Sequence, residues 1–177
     1  VCAEDESSRM AVEWALQRKF VNVVFIGGTE IVLADKRFDR YRSHISVVRA
    51  ESRDEAACTA VRMAREGTVD ILMKGLINTD NLLRAVLNKE HGLLCKGAVM
   101  THVALARMPS YHKMLFFTDS AVIPYPSREQ RVEQVRTIVR ICRQTGISRP
   151  KVALVHCTEK VNGKTFPLTE DYVEVIR

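Results

Sequence analysis

Residues 70–94 read DILMKGLINTDNLLRAVLNKEHGLL, and this stretch decides the fold. The apolar run from Val69 to Met73 predicts a buried strand, which Lys74-Gly75 breaks. Leu76-Ile77-Asn78-Thr79-Asp80 then places Asn, Thr and Asp where a helix should begin, and these residue types cap helix starts. In the predicted helix Leu82, Leu83, Val86 and Leu87 form one apolar stripe, while Asp80, Arg84 and Asn88 share another face. Amides, hydroxyls and a cation thus gather where a parallel strand ends and a helix starts. In open α/β sheets anionic ligands bind at such places, because the helix N-terminus offers unpaired N–H groups.

Working outward toward the N-terminus, Ser52-Arg-Asp-Glu55 is a capping box that opens a helix ending at Gly67, and Ile45–Val48 is a short strand before it. Lys36–Arg42 reads as a basic loop, preceded by a weak helix through Asp35. Val21–Ile26 (VNVVFI) is a buried strand ending at Gly27-Gly28-Thr29-Glu30, a turn that lacks the GxGxxG dinucleotide fingerprint. Ala3–Ser8 leads into a first helix, with Val1-Cys2-Ala3 as the remnant of a strand, so the N-terminus reads as cut inside a βα unit. Strand and helix alternate throughout, which argues a mostly parallel sheet covered by helices.

Beyond residues 94–97 the pattern changes. Ala98–Ala106 and Lys113–Thr118 are predicted strands joined without a helix, hence antiparallel. A Pro-punctuated loop follows, then a capping box at Ser127–Gln130 and a helix with Val132, Val135, Ile138, Val139 and Cys142 on one stripe, ending at Gly146. Val152–His156 is predicted as a buried strand, Glu159–Lys164 as a solvated loop, and a last helix starts at Thr169. The expected organisation is α/β in two incomplete lobes, residues 1–95 and 96–177.

Composition narrows the function classes. With 46% hydrophobic and 27% charged residues the 177-residue chain is of ordinary globular type. No apolar run approaches the roughly 20 residues of a membrane span, which argues against a membrane partner. The net charge is +6, but Lys and Arg are scattered and aromatic residues are only 6%, which argues for small polyanions rather than nucleic acid. Five cysteines without a CxxC pair argue for reduced thiols in a cytoplasmic protein, and no ligand spacing for a metal is present.

The run MKGLINTDNLLRAVLNKEHGLL resembles the signature of the phosphate acetyl/butyryltransferase family, in particular its phosphate butyryltransferases. AEDE at Ala3–Glu6, THVALARMPSYHKMLFFTDSAVIPYPS from Thr101 and PKVALVHCTEKVN from Pro150 agree and follow in the family's order. The resemblance implies an isocitrate/isopropylmalate dehydrogenase-like architecture with the active site in a cleft between lobes. It implies transfer of a butyryl or similar short acyl group between coenzyme A and phosphate, with coenzyme A a substrate, no tightly bound cofactor, no metal and a homo-oligomer. The family chain continues further and places a late Ser/Asp pair at the active site, so this stretch is expected to be a fragment, and the resemblance leaves open that it is inactive alone.

Such a reaction needs a fork-shaped cation for phosphate and donors for the oxyanion on the thioester carbonyl. By resemblance Arg84 is the expected phosphate or coenzyme A cation, the alternative being a surface pair with Asp80. Lys74, Asn78 and Thr79 are expected substrate donors, with plain turn and cap roles as the alternative. Asp119 is expected to orient a cation or a substrate hydroxyl, or else simply to start a loop. His102 is expected at the substrate, or as a hydrogen-bonded packing residue. Two other functions stay open: a non-catalytic phosphate- or coenzyme A-binding module, and a dehydrogenase of the same architecture, although its paired metal-binding aspartates are not visible.

Overall fold

A computed structural model describes residues 1–156 and 158–176, and the chain separates into two units, Val1–Lys96 and Gly97–Arg177. In the first unit the order is α1 (Glu6–Gln17), β1 (Val23–Ile26), α2 (Thr29–Ala34), a 3-10 helix (Lys36–His44), β2 (Ile45–Val48), α3 (Arg53–Arg65) and α4 (Thr79–Val86). β1 and β2 pair in parallel, with Val23 opposite Ile45 and Ile26 opposite Val48, and Gly27 N–H prolongs the ladder to Val48 O at 3.1 Å.

Alternation along β1 builds two cores, because neighbouring side chains of a strand point to opposite faces. Ile26 packs with Cys2, Ala56, Ala57, Ala60 and Ile77, so small residues let α3 approach the sheet closely. Phe25 packs on the other side with Ala3, Val12, Leu16, Val32 and Phe38, and the two phenyl rings meet edge-on at 5.3 Å. Helices therefore cover both faces of the parallel pair, as parallel strands require.

The predicted strand at Val69–Met73 does not form: Ile71 is 76% exposed, and the pairing lies a few residues later. Val1 donates to Met73 O and accepts from Gly75 N–H, both at 2.8 Å, the two slanted bonds of a parallel contact around Lys74. On its other side Cys2 N–H donates to Ile26 O at 2.8 Å. Available N–H and C=O partners, rather than the apolar run, thus set where the chain pairs.

The segment expected to be a basic loop is the 3-10 helix Lys36–His44. Asp35 caps it by accepting Arg37 N–H, Phe38 anchors it in the core, and the arginines find carboxylates: Arg37 on Glu6 and Asp35, Arg40 on Glu13. The helix α3 starts as expected on Ser52, which accepts Glu55 N–H, but Glu55 returns its carboxylate to Glu51 N–H rather than to Ser52. At its end Gly67 (φ +72°) lets Thr68 N–H reach Met63 O and its own N–H reach Ala64 O, a Schellman closure.

In the second unit β3 (Ala104–Arg107) and β4 (Met114–Phe117) pair antiparallel, Ala104 opposite Phe117 and Arg107 opposite Met114. The helix α5 (Arg128–Gln144) opens on a complete capping box between Ser127 and Gln130. Its most buried residues are Arg131, Gln134, Ile138 and Cys142, so the buried face is rotated from the predicted stripe of valines toward two polar residues. The reason lies in α6 (Leu168–Ile176): Asp171 takes Arg131 Nη1 at 3.1 Å and Tyr172 lies beneath its guanidinium. The predicted strand Val152–His156 is not formed, and Val155 is 83% exposed. Asn162 and Phe166 make an isolated antiparallel bridge where a solvated loop was expected. Cys2 and Cys142 are buried and Cys58 and Cys95 exposed, all four unpaired; Cys157 lies outside the described residues.

Gly75 is required by the close passage of the N-terminal residues, since a Cβ there would stand 2.3 Å from Cys2 O. Gly75→Ala is therefore expected to destabilise the first unit by about 1–3 kcal/mol. Urea unfolding of the variant beside the parent checks this, and an unchanged midpoint would refute the contact.

Candidate functional site

The expected site residues fall into two groups, one in each unit. In the first, the loop from Lys74 to Thr79 leaves the parallel contact and enters α4. Ile77, only 1% exposed, pins this loop into the core between α3 and β1, while Lys74, Asn78 and Thr79 stay exposed. Asn78 is the N-cap residue with extended backbone, but its side chain makes no capping bond. The first N–H groups of α4 are thus left without a side-chain cap, and such groups favour an anion. Lys74 Nζ reaches only the neighbouring Gly75 O, at 3.3 Å.

Arg84 lies in the last turn of α4, exposed, and among the described residues it makes no ion pair; the alternative pairing with Asp80 is not formed. The shared face of Asp80, Arg84 and Asn88 is shorter than predicted, because α4 stops at Val86. Asn88 Oδ1 instead accepts Glu90 N–H and His91 N–H and closes the following turn. The apolar stripe also differs from expectation: Leu82 and Ala85 pack on the core, whereas Leu87 is 42% exposed. Asn81 bonds Asp54 and ties α4 to α3.

In the second unit Asp119 follows β4 and is the hub of a polar cluster. Its Oδ2 accepts the Thr101 hydroxyl at 2.8 Å and His102 N–H at 3.0 Å. Its Oδ1 accepts Ala121 N–H at 2.9 Å and Val122 N–H at 2.8 Å. Burial alone would push this carboxyl's pKa up; the N–H groups of Ala121, Val122 and His102 and the Thr101 hydroxyl outweigh it and hold it well below the usual carboxylate range. An ionised carboxylate only accepts, so Thr101 spends its proton on Asp119 and takes the Thr118 hydroxyl, 3.0 Å away, as its donor. His102 is half-buried, and its Nδ1 lies 3.1 Å from Oγ of the exposed Ser120.

Four protein donors already fill Asp119, so this residue brackets the segment before β3 against the turn after β4. It positions His102 and Ser120 and has no capacity left for a proton. Thr101, Thr118 and Ser120 were not among the residues expected from sequence. A signal for them existed: prolonging the hairpin register past Ala104–Phe117 sets His102 opposite Asp119 and Thr101 opposite Ser120. Among the described residues no cluster of three or more His, Cys, Asp or Glu is arranged to hold a metal ion, and no helix is long and apolar enough to cross a membrane.

Residues 34–176 match the family model described as phosphate acetyl/butaryl transferase. The chain is 34% identical over 170 residues to a phosphate butyryltransferase of Clostridium acetobutylicum, covering 96% of this chain and 56% of that protein. It is also 34% identical over 116 residues to a phosphate acetyltransferase of Thermotoga maritima, covering 66% of this chain and 39% of that protein. Among solved structures, a branched-chain phosphotransacylase from Enterococcus faecalis V583 superposes with a TM-score of 0.68 at 26% identity, over 86% of this chain and 62% of that one. The chain spans about half the length of the curated relatives it matches.

The Asp119 bracket generates a pH-dependent prediction. Asp119→Asn is expected to destabilise the turn after β4 by about 1.5–3 kcal/mol at pH 7, because an amide presents a donor where only acceptors fit. The folded carboxyl is depressed, so the folded state binds fewer protons than the unfolded one. The wild-type advantage is then present in full above about pH 5 and shrinks as pH falls below the unfolded value near 3.9 toward the folded one. Protection of the Ala121 and Val122 amides against hydrogen exchange, followed in both variants from pH 7 down to 3, checks magnitude and sign.

Proposed function

The chain belongs to the phosphate acetyl/butaryl transferase family, and on that footing we propose that the protein carrying it transfers a short acyl group, butyryl or of similar length, between coenzyme A and inorganic phosphate. The carrying observation is identity at near-full coverage. Proteins named phosphate butyryltransferase match 90–96% of this chain at 32–34% identity, whereas phosphate acetyltransferases that cover 94% of it do so at 26–28%.

In the forward direction a phosphate oxygen attacks the thioester carbonyl, the carbonyl oxygen takes up negative charge, and collapse expels the coenzyme A thiolate. Arg84 is the cation for phosphate or for a phosphate of coenzyme A: its guanidinium is exposed and unpaired among the described residues, and its planar fork suits a phosphate bidentately. Lys74, Asn78, Thr79 and the uncapped N–H groups of α4 add donors of the kind an anion seeks. His102 is a substrate contact and Asp119 holds it in place. Coenzyme A acts as a substrate rather than as a resident cofactor, and the chemistry calls for no metal. A cytoplasmic homo-oligomer, without membrane or nucleic-acid partners, is the setting this reading implies.

Release of thiol from butyryl-CoA is expected to require phosphate and to be indifferent to a chelator. A thiol reagent follows it, and release that ran equally without phosphate would overturn the reading. Arg84→Lys keeps the charge and loses the fork, so the specificity constant for phosphate or acyl-CoA should fall roughly ten- to hundred-fold. Because the side chain is exposed, the same variant should change stability by less than about 1 kcal/mol. Steady-state kinetics in both substrates, beside thermal unfolding, separates this from a surface role, for which the constants would stay at wild-type values.

A further inference from the structure

Within the cluster around Asp119, Ser120 is the residue to which no role has been assigned. Its hydroxyl is exposed and lies 3.1 Å from His102 Nδ1. Asp119, which neighbours it in sequence, is already saturated by Thr101, His102, Ala121 and Val122 and does not draw the Ser120 proton away. The Nε2 atom of His102 bonds no described residue. A neutral imidazole carries one donor and one acceptor nitrogen, so the bond made by Nδ1 decides what Nε2 can do. If Ser120 donates to Nδ1, Nε2 carries the hydrogen and is a donor; if Ser120 accepts, Nε2 is a lone pair.

The acyl-transfer reading, on which this inference rests, discriminates between the two. As the phosphate oxygen bonds the carbonyl carbon, the π pair moves onto the carbonyl oxygen. When that pair returns, the C–S bond breaks and its electrons leave on sulfur. The proton that phosphate sheds ends on the coenzyme A sulfur or in water, so His102 need neither gain nor lose one. The barrier calls for a donor at the growing oxyanion, and a lone pair there would repel it.

We propose that Ser120 is a positioning residue that donates to His102 Nδ1 and fixes the Nε2–H tautomer, making His102 Nε2–H a hydrogen-bond donor to the thioester carbonyl oxygen of acyl-CoA. The Asp119 bracket sets the spacing between the two residues through His102 N–H on one side and the Ala121 and Val122 amides on the other.

Nitrogen chemical shifts of histidine-labelled protein report the tautomer without reference to activity, the His102 signals being those lost in His102→Gln. The wild type should hold the proton on Nε2, and Ser120→Ala should show both tautomers. In kinetics with butyryl-CoA and phosphate, His102→Ala should lower kcat by roughly 10²–10³-fold. His102→Gln, which offers an amide N–H but cannot shuttle a proton, should recover to within about tenfold of the parent, and Ser120→Ala should lose about tenfold in kcat with KM little changed. Circular dichroism of each variant separates loss of fold from loss of function. A proton on Nδ1 in the wild type, or a Gln variant no better than Ala in an otherwise active enzyme, would overturn the proposal. A wild type that releases no thiol with phosphate would instead overturn the acyl-transfer reading, and the oxyanion role with it, while the nitrogen shifts still decide the tautomer.

Discussion

The first unit depends on the backbone bonds of Val1 and Cys2. Through them the N-terminal residues join the end of β1 to the segment Met73–Leu76, with Cys2 N–H on Ile26 O and Gly75 and Leu76 N–H on Val1 and Cys2 O. None of these bonds is large in net terms, since folding exchanges them for bonds to water. Their weight lies in what they position. Once Gly75 is held beside Val1, Ile77 falls into the core shared by Ile26 and α3. Lys74, Asn78 and Thr79 are then left outside as a short polar rim before α4.

The second unit solves a similar problem with a charge. Two short strands with exposed apolar residues such as Leu105, Met114 and Phe117 have little core of their own. Asp119 compensates locally by gathering three N–H groups and one hydroxyl onto a single carboxylate. Hydrogen bonds to an ionised acceptor are about twice as strong as neutral ones, which suits one residue to fixing two chain segments at once. The result is chemical as well as mechanical: a carboxylate so occupied is unfit for proton transfer.

Charge and composition therefore act differently in the two units. In the first, Arg37 and Arg40 pair with Glu6 and Glu13 and bind the 3-10 helix to α1. Arg84, like Arg18, Arg49, Arg53 and Arg65, makes no ion pair among the described residues. In the second, Arg131 is buried against Asp171 and Tyr172 and serves packing between α5 and α6. Identical side chains are paired or left exposed according to whether a neighbouring element brings a carboxylate to them.

Local pattern alone determined β1, β2 and the helices α1 and α3 in the first unit, the antiparallel hairpin in the second, and the caps at Ser52, Ser127, Gly67 and Gly146. Each depends on residues a few positions apart, and period and capping chemistry are local properties. The motifs around Lys74–Arg84 and Thr101–Asp119 likewise marked the candidate residues and the family resemblance. Tertiary structure decided the rest, because it turned on distant partners. The apolar run at Val69–Met73 yields its pairing to Gly75 because Val1 and Cys2 lie beside that residue. Lys36–His44 is helical because Glu6 and Glu13 meet its arginines. The buried face of α5 turns toward Arg131 because Asp171 awaits it. Asp119 is a bracket rather than a free carboxylate because the hairpin register carries Thr101 and His102 to it, and a hydrogen-bond partner contributed across that register is not a property of any single stretch of sequence.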